Sequence, residues 1–388
     1  MIRRASVGET PLPQPVPFPF ALATVGLAMI AVVLAMQRWM YAPRLQWLYL
    51  IGMAFAATFF MVPLVRAYAL WRGVLDVPAA RKVHAVPTPL LGGLALYTGF
   101  AFTVLANFEF SRPLKGVAVG GTMIVAIGIL DDMFDIPARV KLFGQVAAAI
   151  VAVTYGVQLL VIPYWVPGST GWNVILTVLW MVMVTNAIQF LDGMDGLAAG
   201  LGVIAGIFFS IAALQTGQGY LMFLSAALVG ACLGFLPYNF RPRGAAIFLG
   251  DAGASFIGFT LAGLAAMGEW AEASPVVAML TPLLILGVPV FDIAFVGVVR
   301  VVTGKVHSLH EWLAYTGKDH IHHRFEALGL TKTQSVLLIY FISLTLGLSA
   351  TLLKDATPRE AVITLIQAAC VLVIIAILEG VGRGKPQP

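Results

Sequence analysis

Apolar runs of about 17 to 25 residues recur along almost the whole of this chain, and about 20 such residues in an α-helix cross roughly 30 Å of hydrocarbon. Lipid offers a backbone no hydrogen bonds, so each run must satisfy its own peptide groups, and the pattern dictates helices. About 12 candidate spans follow, centred near residues 27, 58, 99, 123, 150, 181, 205, 228, 261, 286, 344 and 370. The expected fold class is therefore all-α: a polytopic integral membrane helical bundle of about 11 to 12 transmembrane helices. With 60% hydrophobic and 11% charged residues, a chain of 388 residues has no room for a separate soluble domain. Residues 1–17 read as a disordered or interfacial leader, 18–45 as an additional amino-terminal transmembrane helix and loop, 46–380 as a membrane-embedded core and 381–388 as a cytoplasmic tail.

Charge gives the orientation. The net charge of +5 is parcelled into short segments between apolar runs rather than laid out as a stripe, so nucleic acid is not an expected partner. With the amino terminus in the cytoplasm, the inner segments are 71–90, 131–141, 191–196, 237–254 and 299–333. About 17 of the 23 Lys and Arg residues then lie inside, as the positive-inside rule requires. About nine of the ten aspartates and all six histidines fall on the same face, a sorting that loop decoration alone does not produce. Cys232 and Cys370 lie within apolar runs, form no metal-ligand spacing and read as core filler.

Three acidic segments open on that face. Gly128-Ile-Leu-Asp131-Asp132-Met-Phe-Asp135 sets three carboxylates at the inner end of a span, at helical positions i, i+1 and i+4. Carboxylates are hard oxygen ligands suited to Mg²⁺, and a bound cation would offset the repulsion within such a cluster. Asp192-Gly193-Met-Asp195-Gly196 interrupts two apolar runs with paired Asp-Gly steps, and the polar Asn186 and Gln189 lie one to two turns back in the preceding span. A plain re-entry turn would not need them. Phe248-Leu-Gly250-Asp251-Ala-Gly253 places a carboxylate between glycines where a span begins, a position suited to a metal or phosphate at a helix amino terminus.

Two further inner segments are cationic. Asp76 leads into Arg81, Lys82 and His84 within a proline-braced loop that ends at Gly92-Gly93, where stiffly held cations could clamp a diphosphate or a lipid phosphate. Membrane-surface anchoring is the simpler alternative for this loop. The last inner segment carries His307, His310 and then Asp319-His320-Ile-His322-His323-Arg324. It lacks the spacing of zinc peptidases, and its imidazoles and guanidinium suit phosphate oxygens better than zinc.

Taken together, from about Asp76 to Phe325, these motifs resemble the polyprenyl-phosphate N-acetylhexosamine-1-phosphate transferase family, with five motifs in order on five inner loops. FLDGMDGLA and HIHHR look like the bacterial undecaprenyl-phosphate branch that loads N-acetylglucosamine-1-phosphate for wall teichoic acid, O-antigen or related polymers. The resemblance implies a phosphotransferase in the bacterial cytoplasmic (inner) membrane with its active site facing the cytoplasm. Its substrates would be a UDP-sugar and a polyprenyl phosphate, its cofactor Mg²⁺ with Mn²⁺ as a substitute, and it leaves room for a homodimer. By the same resemblance, Asp131, Asp132, Asp135, Lys141, His322 and His323 would be catalytic, and Asp251, Asp132 and Gln189 would hold the metal. Asp76, Arg81, Lys82, His84, Asn186, Asp192, Gly193, Asp195, Asn239, Phe248, His320 and Arg324 would bind substrate, with uracil held by Asp192, Gly193, Asn239 and Phe248.

Gln189 departs from the family, which often has an asparagine near the metal at this position. The alternatives are the muramoyl-pentapeptide branch, whose last loop is usually richer in consecutive histidines, and an ion-coupled transporter. A transporter would concentrate its carboxylates near the bilayer midplane, whereas these lie at span ends. The CDP-alcohol phosphotransferases need an Ala-Arg after Asp-Gly, which is missing here.

Overall fold

Small residues decide how this bundle packs. In the computed structural model, which describes residues 30–31, 45–77, 86–107, 111–270, 275–306 and 319–382, the chain runs as follows. Helix α1 (Gln46–Arg72) leads through the two-residue strands β1 (Leu75–Asp76) and β2 (Thr88–Pro89) into α2 (Gly92–Asn107). Then come α3 (Arg112–Phe134), α4 (Ala138–Thr154), α5 (Ser169–Leu191), α6 (Leu197–Gln215), α7 (Gly219–Asn239) and α8 (Gly250–Met267). The remainder is α9 (Pro275–Ile285), α10 (Gly287–Val302), α11 (Ile321–Ala327), α12 (Lys332–Thr351) and α13 (Pro358–Gly382). The strands pair antiparallel, Leu75 with Pro89 and Asp76 with Thr88, and everything else regular among the described residues is helix.

Eight of these helices are long and apolar enough to cross a membrane, and the α9–α10 pair, bent by 81°, makes a ninth if it is one span. Among the described residues this bears out the expected polytopic helical bundle. The run near residue 99 is a helix of 16 residues and the one near 150 a helix of 17, about 24 to 26 Å long at 1.5 Å per residue, at the short end for a span. The expected span at 18–36 lies outside the described residues, apart from 30–31.

Helix α8 is the axis of the bundle: 83% of its apolar window is buried, against 22% for α13. Its sequence, GDAGASFIGFTLAGLAAM, is so poor in bulk that neighbouring backbones come into contact with it. Helices in lipid associate through such close packing, because lipid tails remove the hydrophobic drive between them. A Cβ at Gly93 of α2 would run into the backbone of Gly253, and one at Gly128 of α3 into that of Ala252. At Gly258 a Cβ would lie 2.8 Å from Cα of Thr185 in α5. Three helices are thus pinned to α8 by backbone contact, and two of them carry the acidic segments at their ends.

The first loop is stitched to the start of α8. Phe248 N–H donates to Pro89 O at 2.8 Å, Gly92 N–H to Phe248 O at 3.0 Å and Gly93 N–H to Leu249 O at 2.7 Å. These bonds satisfy backbone groups that would otherwise be stranded at a helix end.

Candidate active site

The site lies where α3, α5, α7 and α10 end and α4, α6, α8 and α12 begin. Gly250 initiates α8 at φ +74°, a left-handed conformation that a side chain disfavours, and a Cβ there would also strike the Asp132 carboxylate at 2.5 Å. Helix α8 has no side-chain cap of its own. Asp132 supplies one from α3: its carboxylate accepts from Asp251 N–H at 2.8 Å and Ala252 N–H at 3.4 Å. A carboxylate at a helix amino terminus is stabilised by about 0.3–2 kcal/mol, which offsets part of the cost of burying it.

Asp131 turns the other way. Its Oδ1 accepts from Ile136 N–H at 3.0 Å, and its Oδ2 meets Lys141 Nζ at 2.6 Å. The same ammonium lies 2.6 Å from Oδ2 of Asp251, so Lys141, one turn into α4, bridges the first and third acidic segments. The side chains of Asp131 and Gln189 both interact with the Asp251 carboxylate. Asp135 departs from expectation: α3 ends at Phe134, Asp135 takes a left-handed conformation at φ 52°, and its exposed side chain leaves the helical face shared with Asp131. A residue that closes the helix cannot continue its i, i+4 row.

The second acidic segment closes over this cluster. Burial, and then the negative charges of Asp251, Asp132 and Asp195, hold the Asp192 carboxyl well above the usual carboxylate range. Asp195 accepts from Ala245 N–H at 2.9 Å, tying the turn to the loop before α8. Asn239 is committed to backbone: its Oδ1 accepts from Gly196 N–H at 2.6 Å and its Nδ2 donates to Ile247 O at 3.1 Å. Tyr340 O–H donates to Gly196 O from α12, so both faces of the Gly196 peptide are held. Asn186 donates to Gln145 Oε1 at 2.6 Å and to Val182 O at 2.8 Å. Asn186 and Asn239 therefore brace the site through these bonds.

The histidine segment comes in from the side. His322 is 1% exposed, and neither of its ring nitrogens has a hydrogen-bond partner among the described residues. Burial, then His323 and His320, push its imidazole well below the ordinary histidine value, which keeps it neutral. A Cβ on Gly193 would collide with its Nε2, so the Asp-Gly step is the space into which this ring fits. The His323 ring lies 4.2 Å from that of His322, tilted by 45°, and its Nδ1 lies 3.5 Å from Glu326. Arg324 Nε donates to Asp319 O at 2.9 Å.

Of the remaining expected residues, Phe248 is half-buried in the stitch to β2, and Asp76 pairs in the β1–β2 hairpin. Arg81, Lys82, His84, His307 and His310 lie outside the described residues. Among the described residues no three His, Cys, Asp or Glu side chains form a ready metal cage. The carboxylate oxygens of Asp251 and Asp131 nonetheless form a hard-donor pair already closed on one cation, the Lys141 ammonium, with the Gln189 amide beside Asp251. Asp132, expected as a metal ligand, has its oxygens on two backbone amides.

Sequence reading missed Gln145, Asp292, Arg300 and Tyr340. Asp292 and Arg300 carried a usable signal, being charged residues inside an apolar run. Gln145 and Tyr340 carried none.

Residues 114–269, which contain all three acidic segments, match the family described as Glycosyl transferase family 4. The chain is 36% identical to the probable undecaprenyl-phosphate N-acetylglucosaminyl 1-phosphate transferase of Bacillus subtilis, across 84% of this chain and 90% of that protein. It belongs to the polyprenyl-phosphate N-acetylglucosamine-1-phosphate transferase family. A second member, the decaprenyl-phosphate N-acetylglucosaminephosphotransferase of Mycolicibacterium smegmatis, is 34% identical over 91% of this chain and 93% of its own length. The undecaprenyl-phosphate alpha-N-acetylglucosaminyl 1-phosphate transferase of Escherichia coli is 29% identical over 69% of this chain and 73% of its own. This transferase family is thus represented here by a multi-pass helical membrane protein whose acidic segments meet at one end of the bundle.

Proposed function

We propose that this chain transfers N-acetylglucosamine-1-phosphate from UDP-N-acetylglucosamine to a polyprenyl phosphate, undecaprenyl phosphate in the first instance, at the cytoplasmic face of a bacterial inner membrane. The observation that carries this reading is the meeting of Asp131, Lys141, Gln189 and Asp251 in one cluster, with Asp192 above it and His322 against the next residue. Four segments far apart in sequence put acidic, amide, cationic and imidazole groups within reach of one diphosphate.

A phosphate monoester has its second pKa near about 6, so the lipid phosphate is already largely an anion at neutral pH and needs no strong base. Its oxygen attacks the β-phosphorus of the nucleotide sugar, the bond to the α-phosphate breaks, and uridine monophosphate leaves with that electron pair. Mg²⁺, or Mn²⁺ in its place, would neutralise phosphate charge and align attack with departure, held by Asp251 and Gln189 with Asp131 beside them. Lys141 then has a second anion to meet, the diphosphate, in place of one of its carboxylates. Asp132 keeps Asp251 aimed by fixing the first turn of α8, and neutral His322 offers a donor to the sugar or diphosphate beside Gly193. Polyprenyl diphosphate N-acetylglucosamine stays in the membrane as the first lipid-linked unit of an envelope glycopolymer.

The test is to offer the purified protein undecaprenyl phosphate with a panel of UDP-sugars, with Mg²⁺ or a chelator, and to identify the lipid product by mass. The expected result is polyprenyl diphosphate N-acetylglucosamine with one uridine monophosphate per turnover, lost on chelation and restored by Mg²⁺. Product formation that survives chelation rejects the metal assignment, and no lipid-linked product with any sugar rejects the reading.

A further inference from the structure

Asp292 belongs to none of the five inner-face motifs, yet at 1% exposure it is more deeply buried than Asp319 at 5%. It sits in the second turn of α10, just beyond the 81° bend from α9. An isolated carboxylate at such a place is costly, so its partners have to account for it. There are two. Oδ2 lies 2.6 Å from Nδ1 of His320, and Oδ1 accepts from the Ile321 N–H at 2.8 Å. About two turns further along α10, Arg300 grips Asp319 bidentately at 2.9 and 2.6 Å. Burial opposes ionisation of Asp319, but this guanidinium outweighs it and holds the carboxyl below its usual range. One helix therefore clasps three consecutive residues at the head of the histidine segment.

The His320 contact has a chemical consequence. A carboxylate only accepts hydrogen bonds, so the nitrogen facing Asp292 must carry a proton. The second nitrogen, Nε2, then keeps its lone pair while the ring is neutral, and it has no hydrogen-bond partner among the described residues. Besides Asp292, the ring touches Phe190, at 5.3 Å between centroids and tilted by 35°. Phe190 lies two residues before Asp192, so the edge of His320 is set beside the Asp-Gly turn.

We propose that Asp292 is a positioning residue: it holds the His320 proton on Nδ1 so that Nε2 receives a hydroxyl or N–H of the nucleotide sugar. This rests on the transferase reading. Asp292→Asn is close to isosteric and isolates the effect. Its Oδ1 can keep the Ile321 N–H, which turns the amide N–H₂ toward His320 and forces the ring proton onto Nε2. A donor then faces a donor in the substrate.

In the purified full-length protein, Asp292→Asn should lower kcat/KM for the nucleotide sugar by about ten- to a hundredfold, the usual cost of losing a partner that orients a functional histidine. The KM for undecaprenyl phosphate should not move. In a His320→Ala background the same substitution should cost nothing further, because the pair acts as a unit. Independent losses from the two substitutions, or equal effects on both substrates, overturn the assignment. A readout free of activity comes from ¹⁵N spectra of histidine-labelled protein in bilayers, with the His320 signal identified by its disappearance in His320→Ala. Wild type should show the Nδ1–H form and Asp292→Asn the Nε2–H form, and identical spectra overturn the proposal. If wild type makes no lipid-linked product, the transferase reading fails while these spectra still decide the role of Asp292.

Discussion

Asn173 and His322 are both buried polar side chains near helix ends, one at the end of the bundle away from the aspartates and one among them, and they are treated oppositely. Asn173 is 0% exposed and closes on the chain itself, accepting from Ile162 N–H at 2.9 Å and donating to Ile162 O at 3.0 Å. Three residues before Ile162, Leu159 N–H is taken by the Thr177 hydroxyl in the same way, at 2.9 Å. His322 is as deeply buried, yet neither nitrogen is answered. Asn173 and Thr177 are spent on the fold, whereas His322 is withheld from it. An unanswered buried polar group costs about 1–3 kcal/mol, a cost that a ligand can recover on binding.

Three substitutions sharpen or break this contrast, beginning with the largest effect. Asp251→Ala should cut turnover about a thousandfold, on the scale of deleting a preorganised electrostatic contact, with the fold intact by gel filtration and thermal melting. An active Asp251→Ala protein would mean that the Lys141 bridge marks a structural ion pair. His322→Ala should lower turnover about a hundredfold, in the range for a positioned acid–base or donor group, with little change in unfolding temperature. Asn173→Ala should do the reverse, costing about 1–3 kcal/mol of stability by stranding Ile162 while kcat stays near wild type. If those two profiles came out alike, the distinction drawn here would be lost.

The smallest effect concerns Asp192. Its carboxyl is held above the usual range, so the folded protein binds a proton there more tightly than the unfolded chain does. Asp192 consequently stabilises the ligand-free protein less as pH rises out of the ordinary carboxylate range, where the unfolded chain gives up this proton and the fold retains it. Asp192→Asn should raise the melting temperature at pH 7 by a few degrees, lose that advantage in acid and impair turnover. A melting temperature that is unchanged at pH 7 would remove burial and the neighbouring carboxylates as a source of strain at Asp192.

Much of this was legible in the sequence, and the reasons differ by element. The helical class followed from run length, and the gathering of Asp131, Asp192 and Asp251 from their sorting to one face, because hydropathy and charge are read locally by the membrane. Span number was less legible, because apolar content near residues 99 and 150 does not reveal where a helix stops. Asp135 looked like a third member of a helical row, since nothing in its side chain announces a left-handed cap. Asn186 and Asn239 looked like ligand contacts. Their bonds to Gln145, Gly196 and Ile247 depend on residues 8 to 43 positions away that only tertiary packing brings near.

Where α8 touches Gly93 and Gly128 there is no side chain left to trim. A single methyl inserted at either place would act as a wedge, lifting the Asp132 carboxylate off the amides beneath it and detuning every charge aligned through them. The reacting centre is in that sense registered by main chain against main chain. The outermost helix, α13, touches this arrangement chiefly through its contacts with α9, α11 and α12.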